Sequence, residues 1–190
     1  MSDDLAITAV TCVKNEGPFL LEWIALHQCI GVTDFLFYSN DCNDGTDTLL
    51  DALAELGHVT HLPNPAEGRN YQMEARKDAK RQAVVPDADW VWVADVDKFP
   101  KFHLGDHSFA ALIDACGNPQ TISLNFQFFA NNDIETYEDR PVIEQFNHSH
   151  SPDMWCGEAA VEVKLLVRQH FPLQYFSAHR PFFKPKVKKK

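Results

Sequence analysis

Apolar residues fall in short runs along the first half of the chain, divided by polar loops and mixed stretches of helical length. Leu5 to Val13 predicts a buried strand, closed by the polar group Lys14-Asn15-Glu16-Gly17. Pro18 suits a first helical turn, Phe19 to Ile30 predicts the helix, and Gly31 its stop. Asp34 to Tyr38 reads as a second strand and Ser39 to Gly45 as a polar loop. A helix over Asp47–Leu56 follows, capped by Thr46 or Asp44 and ended by Gly57. His58 to Leu62 is a third strand, and Pro63-Asn64-Pro65 opens a loop reaching Asn70. Tyr71 to Ala83 predicts a basic helix with Arg76, Lys77, Lys80 and Arg81. Trp90 to Ala94 is apolar throughout, as a strand covered on both faces should be.

This β-α-β-α-β-α-β order predicts an α/β fold with a mainly parallel central sheet, right-handed crossovers and helices on both faces. The second half is less regular and mostly β. Ser108–Cys116 predicts a helix, Thr121–Phe129 an aromatic-rich strand, and Val142–Phe146, Val161–Val167 and Gln174–Ser177 further strands. No repeat or linker interrupts residues 1–190, so one domain is expected, in two halves at 1–100 and 101–180 with a basic tail at 181–190.

Composition narrows the function. The 190 residues are 45% hydrophobic and 23% charged, the profile of a soluble globular domain. A net charge of −10 disfavours a general grip on nucleic acid. Cys12, Cys29, Cys42, Cys116 and Cys156 form no CxxC pair, which argues against a zinc knuckle or disulfide framework and suits a reducing cytoplasm. The start Met-Ser-Asp-Asp is too acidic for a signal peptide, and no apolar run approaches the roughly 20 residues of a membrane span. Lys184 to Lys190 holds five lysines, a solvated end or a weak, peripheral contact with anionic lipid at the inner membrane, or with acceptor.

The chemistry concentrates at Asp95-Val96-Asp97, where the most apolar strand runs out. Ligands of open parallel sheets bind at the carboxyl ends of strands. In an extended segment, residues i and i+2 point to one side, so two carboxylates converge there. Hard oxygen ligands of this kind suit Mn²⁺ or Mg²⁺, which bind through one or two carboxylates plus substrate phosphates. For an isolated Asp-x-Asp, helix capping and solvation are the plainer explanation.

Three motifs together go further. Val13-Lys14-Asn15-Glu16, then Tyr38-Ser39-Asn40-Asp41-Cys42-Asn43-Asp44-Gly45-Thr46, then Asp89-Trp90-Val91-Trp92-Val93-Ala94-Asp95-Val96-Asp97 stand at the ends of the first, second and fourth strands. Ile7 to Phe99 resembles the nucleotide-binding half of a GT-A glycosyltransferase, of the family-2-like bacterial group related to family 92 that carries VKNE and DVDEF motifs. Ser123-Leu124-Asn125-Phe126 and His179-Arg180-Pro181 also look familial. The resemblance implies a nucleotide-diphosphate sugar donor, bound by the half at 1–100, and a glycan or other hydroxyl acceptor, met by the half at 101–180, in glycan or surface-polysaccharide synthesis. It implies nucleotide contacts at Asn15, Glu16 and Asn40, with Asp44 a further contact or a helix cap. It makes Asp97 the metal ligand, Asp95 a contact to ribose or to metal through water, and His179 the completing ligand. Arg76, with Lys77, would meet the diphosphate from the helix before the metal strand, or stand on a solvated face; Arg69 is the rival. His103 and His107 are spaced i, i+4 but lack a partnering Glu, and Gly105 lies between them.

The implied reaction is an inverting transfer, which needs a general base near the acceptor hydroxyl. Glu158 and Asp153 are the candidates, beside Trp155, whose face can stack on a sugar; Asp133 is more remote. Where relatives carry Glu after the second Asp, this chain has Lys98. That departure, with the chain ending soon after His179-Arg180-Pro181, keeps a catalytically degenerate sugar-nucleotide-binding module as the alternative. A dehalogenase-type phosphatase would carry Asp-x-Asp after the first strand, and a dinucleotide fold would need Gly-x-Gly-x-x-Gly.

Overall fold

Strand periodicity decides how the core divides. A computed structural model of the chain describes residues 5–149, 163–177, 179 and 182–183. Strands β1 (Ile7–Val13), β2 (Asp34–Ser39), β3 (Thr60–Pro63) and β4 (Trp90–Val93) alternate with helices α1 (Gly17–Cys29), α2 (Thr46–Glu55) and α3 (Tyr71–Ala79). Then come α4 (Phe109–Ala115), β5 (Thr121–Asn125), α5 (Val142–Gln145), β6 (Val163–Arg168), β7 (Leu173–Tyr175) and β8 (Phe182–Phe183). The main sheet runs β3-β2-β1-β4-β6-β5, and β7-β8 form a separate pair. β3, β2, β1 and β4 are parallel, whereas β6 lies antiparallel between β4 and β5.

Successive strand residues face opposite sides, and the two cores sort accordingly. Ile7, Ala9, Phe35, Phe37, Trp90 and Trp92 pack with Trp23 of α1, Leu50 of α2 and Phe109 of α4. Val10, Leu36, Tyr38, Val91 and Val93 pack on the other face with Ala75 and Ala79 of α3 and with Leu173 and Phe176. The first core contains its own polar chain. His27 Nδ1 donates to the Trp23 carbonyl at 2.8 Å, and the Trp92 indole donates to His27 Nε2 at 3.1 Å. His27 is fully buried, and desolvation pushes its pKa down to about 4, so it is neutral at ordinary pH.

Two expectations are corrected. Val142–Phe146 is not a strand: Val142–Gln145 is a helical turn begun at Pro141. The Glu22 carboxylate accepts from the backbone N–H of Val142 at 2.6 Å and Ile143 at 3.1 Å, supplying the bonds a strand partner would otherwise give. The aromatic strand is also shorter than expected, stopping at Asn125 rather than Phe129.

Candidate functional site

The carboxyl ends of β1 and β2 are tied together before any ligand is considered. Asn15 has φ 58°, a left-handed conformation that Asn tolerates better than bulkier residues. Its side-chain oxygen accepts from Asn43 N–H at 2.9 Å. The buried Thr46 hydroxyl accepts from the N–H groups of Glu16 at 2.9 Å and Gly17 at 2.8 Å, and donates to Asp44 at 2.6 Å. Thr46 thus caps α1 from another element, and Asp44 holds Thr46. These bonds pull the Asp44 carboxyl below its ordinary pKa.

A second polar chain runs from Asp51 to His61 Nδ1 at 2.7 Å and from His61 Nε2 to the Ser39 hydroxyl at 2.8 Å. That is the partner order of a serine-hydrolase triad, but neither cleft named below is lined by Ser39. Its evident work is to tie β2, α2 and β3.

Beyond β4 the chain turns instead of staying extended, so strand alternation does not set the directions of Asp95 and Asp97. Lys98 N–H donates to the Asp95 carbonyl at 3.0 Å, and the Trp23 indole holds the Lys98 carbonyl at 3.0 Å. Across this turn the two acids have different surroundings. Asp97 is 67% exposed and is touched by the Lys98 ammonium. Asp95 is 30% exposed, with the Lys164 ammonium at 2.5 Å from one oxygen and the Arg76 guanidinium at 3.8 Å from the other. Burial raises the Glu16 carboxyl, and Asp97, Asp95 and Asp44 raise it further, so these acids share one neighbourhood.

Arg76 is not on a solvated face: it is buried, bonded to Gln72 at 3.1 Å, and aimed from α3 at the end of β4. Cys12, on the adjacent end of β1, has its thiol pushed up to about 11, chiefly by burial, with Asp95 adding to the rise. Phe126 closes the other side. Lys98 and Lys164 lie 4.9 and 5.9 Å from its ring centre, and the His179 ring meets it edge-on at 6.0 Å. His179 Nδ1 lies 3.2 Å from the Val163 carbonyl. A cleft of about 410 Å³ opens beside Arg76, lined also by Asn70, Tyr71, Gln72, Tyr175 and Ser177. A second, of about 250 Å³, lies between Phe19 and Tyr137.

Among the described residues no three His, Cys, Asp or Glu side chains form a closed metal cluster. Exposed Asp97 nonetheless fits an ion held by one carboxylate and completed by substrate phosphate. The structure therefore brings together Glu16, Arg76, Asp95 and Asp97, with Asn15 next to Glu16 at the end of β1 but turned to Asn43, and His179 adjoining across Phe126. Asn40 is placed at the end of β2, its N–H donating to the Val13 carbonyl at 3.1 Å. Asp153 and Glu158 lie outside the described residues, as does Trp155.

The profile of glycosyltransferase family 92 matches residues 8–182 of this chain. The chain belongs to glycosyltransferase family 92. A family 92 protein of Ricinus communis is 29% identical over 99 residues, covering 50% of this chain and 16% of that protein. This family 92 chain thus spans a small part of its curated relative. Its fold is similar to TarS of S. aureus in complex with UDP, with TM-score 0.50 and 10% identity over 87% of this chain and 47% of that one. Glucosyl-3-phosphoglycerate synthase of Mycobacterium tuberculosis gives TM-score 0.46 and 14% identity over 90% of this chain and 61% of that one. The central sheet is of the GT-A type.

Sequence reasoning missed Lys164 in this family 92 site. Its signal was present: a lysine inside the predicted strand Val161 to Val167. Lysine is almost never fully buried unless paired, so that position asked for an acidic partner. Nothing local named Asp95, 69 positions away.

Proposed function

We propose that this chain carries the donor site of a metal-dependent, inverting glycosyltransferase. It would move a sugar, of hexosyl type, from a nucleotide diphosphate to a hydroxyl acceptor in glycan or surface-polysaccharide synthesis. The observation that carries this reading is the cationic cluster of Arg76, Lys98 and Lys164 around Asp95 and Asp97, at the carboxyl ends of a parallel sheet and beside an open cleft. Family membership and the UDP bound by TarS agree with it.

Asn15, Glu16 and Asn40 would meet the nucleoside at the ends of β1 and β2. Arg76 would bind the diphosphate from α3. Asp97, with His179 from the C-terminal segment, would hold Mn²⁺ or Mg²⁺. When bound, such an ion supplies charge to stabilise the departing diphosphate. Asp95 would touch the ribose, or the ion through water. Glu158 or Asp153 would take the acceptor's proton.

Calorimetry and thermal shift with UDP, GDP and CDP, each with and without Mn²⁺, test the reading, followed by a donor screen for nucleotide release. Metal-enhanced binding of one nucleotide is expected, together with its loss in Asp97→Ala. The absence of stabilisation by every nucleotide would sink the proposal. A second reading, a binding module without turnover, is favoured by the Lys98 ammonium on Asp97. It predicts metal-enhanced binding without sugar release.

A further inference from the structure

Antiparallel insertion of β6 beside β4 has a chemical consequence. Because β6 runs against β4, its first residues lie at the carboxyl end of β4, with Leu165 paired to Val93. Lys164 is next in line, and its side chain is only 2% exposed. A long ammonium side chain is buried at such a place only with a partner, and the partner is Asp95, at 2.5 Å. Phe126 covers the same ammonium from the β5 side. The second Asp95 oxygen is buried, without a hydrogen bond, and faces Arg76 at 3.8 Å.

The first acid of Asp-x-Asp is therefore held by buried groups from β6 and α3, while the second is exposed and meets the Lys98 ammonium at the surface. We propose that Lys164 is the resident cation of Asp95: it takes the carboxylate that would otherwise join Asp97 in chelating a divalent ion. The ion is then carried by Asp97 and the diphosphate, and protein alone binds it weakly. Lys164 acts as a positioning residue, fixing Asp95 toward Arg76 at the edge of the donor cleft. This deepens the donor-site reading above and rests on it for the identity of the diphosphate, but its central claim concerns protein and Mn²⁺ alone.

The test is Mn²⁺ affinity without nucleotide, read by paramagnetic resonance of the free ion, in the wild type, Lys164→Met and Lys164→Met/Asp95→Asn. Removing the cation frees a second carboxylate. Lys164→Met should therefore bind Mn²⁺ about tenfold tighter or better, and the double variant should lose that gain. No gain in a folded Lys164→Met overturns the proposal, as does a gain that survives Asp95→Asn. Should Lys164→Met fail to fold, Asp97→Asn and Asp95→Asn decide the matter by calorimetry with Mn²⁺ and UDP. The loss on Asp97→Asn should exceed the loss on Asp95→Asn by about tenfold, and equal losses overturn the proposal. If no nucleotide binds the wild type, the donor-site reading fails, yet the Mn²⁺ gain in Lys164→Met still stands or falls by itself.

Discussion

At the scale of single residues, burial decides which side chains are chemically silent and which are poised. His27 is neutral because its fully buried place disfavours the charged ring, an effect that outweighs the bond to the Trp23 carbonyl, while the other ring nitrogen accepts from the Trp92 indole. Its folded pKa, about 4, lies below the ordinary 6.5. Between those values the unfolded chain binds the proton that the folded chain refuses. The stability His27 contributes is thus present above pH 6.5 and is lost as pH falls toward 4. The expected slope approaches about 1.4 kcal/mol per pH unit, reaching about 3 kcal/mol in all. Urea denaturation at a series of pH values checks this. His27→Gln keeps one donor and one acceptor without titrating, so the difference between the two proteins should shrink as pH falls. Parallel curves would refute the assignment. Lys164 is a second buried base: burial lowers its pKa while the Asp95 carboxylate opposes that fall, and its partner was unreadable in advance because Asp95 follows a strand distant in sequence.

At the scale of elements, Thr46 shows how the site is held before a ligand arrives. Glu16 and Gly17 sit at the start of α1, and their N–H groups have no acceptor within the helix. Thr46 supplies it from the start of α2. Thr46→Ala should cost about 1–2 kcal/mol by loss of this cap, and Thr46→Ser, which keeps the hydroxyl, should recover most of it. Denaturant midpoints measure the cost, and amide exchange at Glu16 and Gly17 should quicken in the alanine variant alone.

The four strands and three helices of the first half were legible because local punctuation marks them: Pro18, Gly31, Gly57, and the apolar run at Trp90. Short β-branched runs were not. Val142 to Phe146 has the composition of a strand, and the helical turn begun at Pro141 is held by Glu22, 120 positions from Val142. Equally, spacing treated Asp95 and Asp97 as one extended pair, whereas the chain turns from Asp95 to Lys98 and each acid meets its own ammonium.

At the scale of the whole molecule, the halves expected at residues 1–100 and 101–180 share one sheet. β4 is flanked by β1 from the first half and β6 from the second. Trp92 rests on Leu166 and Phe109 within the same core, and the Arg168 guanidinium lies 4.9 Å from the centre of the Trp90 ring. A fragment ending at Gly105 would expose one edge and part of one face of β4, and would leave Asp95 without Lys164. Unpaired strand edges and bared aromatic faces favour association over folding. The full chain should therefore unfold in one calorimetric transition, with calorimetric and van't Hoff enthalpies agreeing. The fragment should show no cooperative transition, and should elute as aggregate or expanded chain. A fragment melting cooperatively within a few degrees of the full chain would mean that β6 and β5 merely decorate a self-sufficient first half. Asp95 would then have to be stabilised by Arg76 alone, and calorimetry of the fragment with Arg76→Met would reveal that dependence as a lost transition.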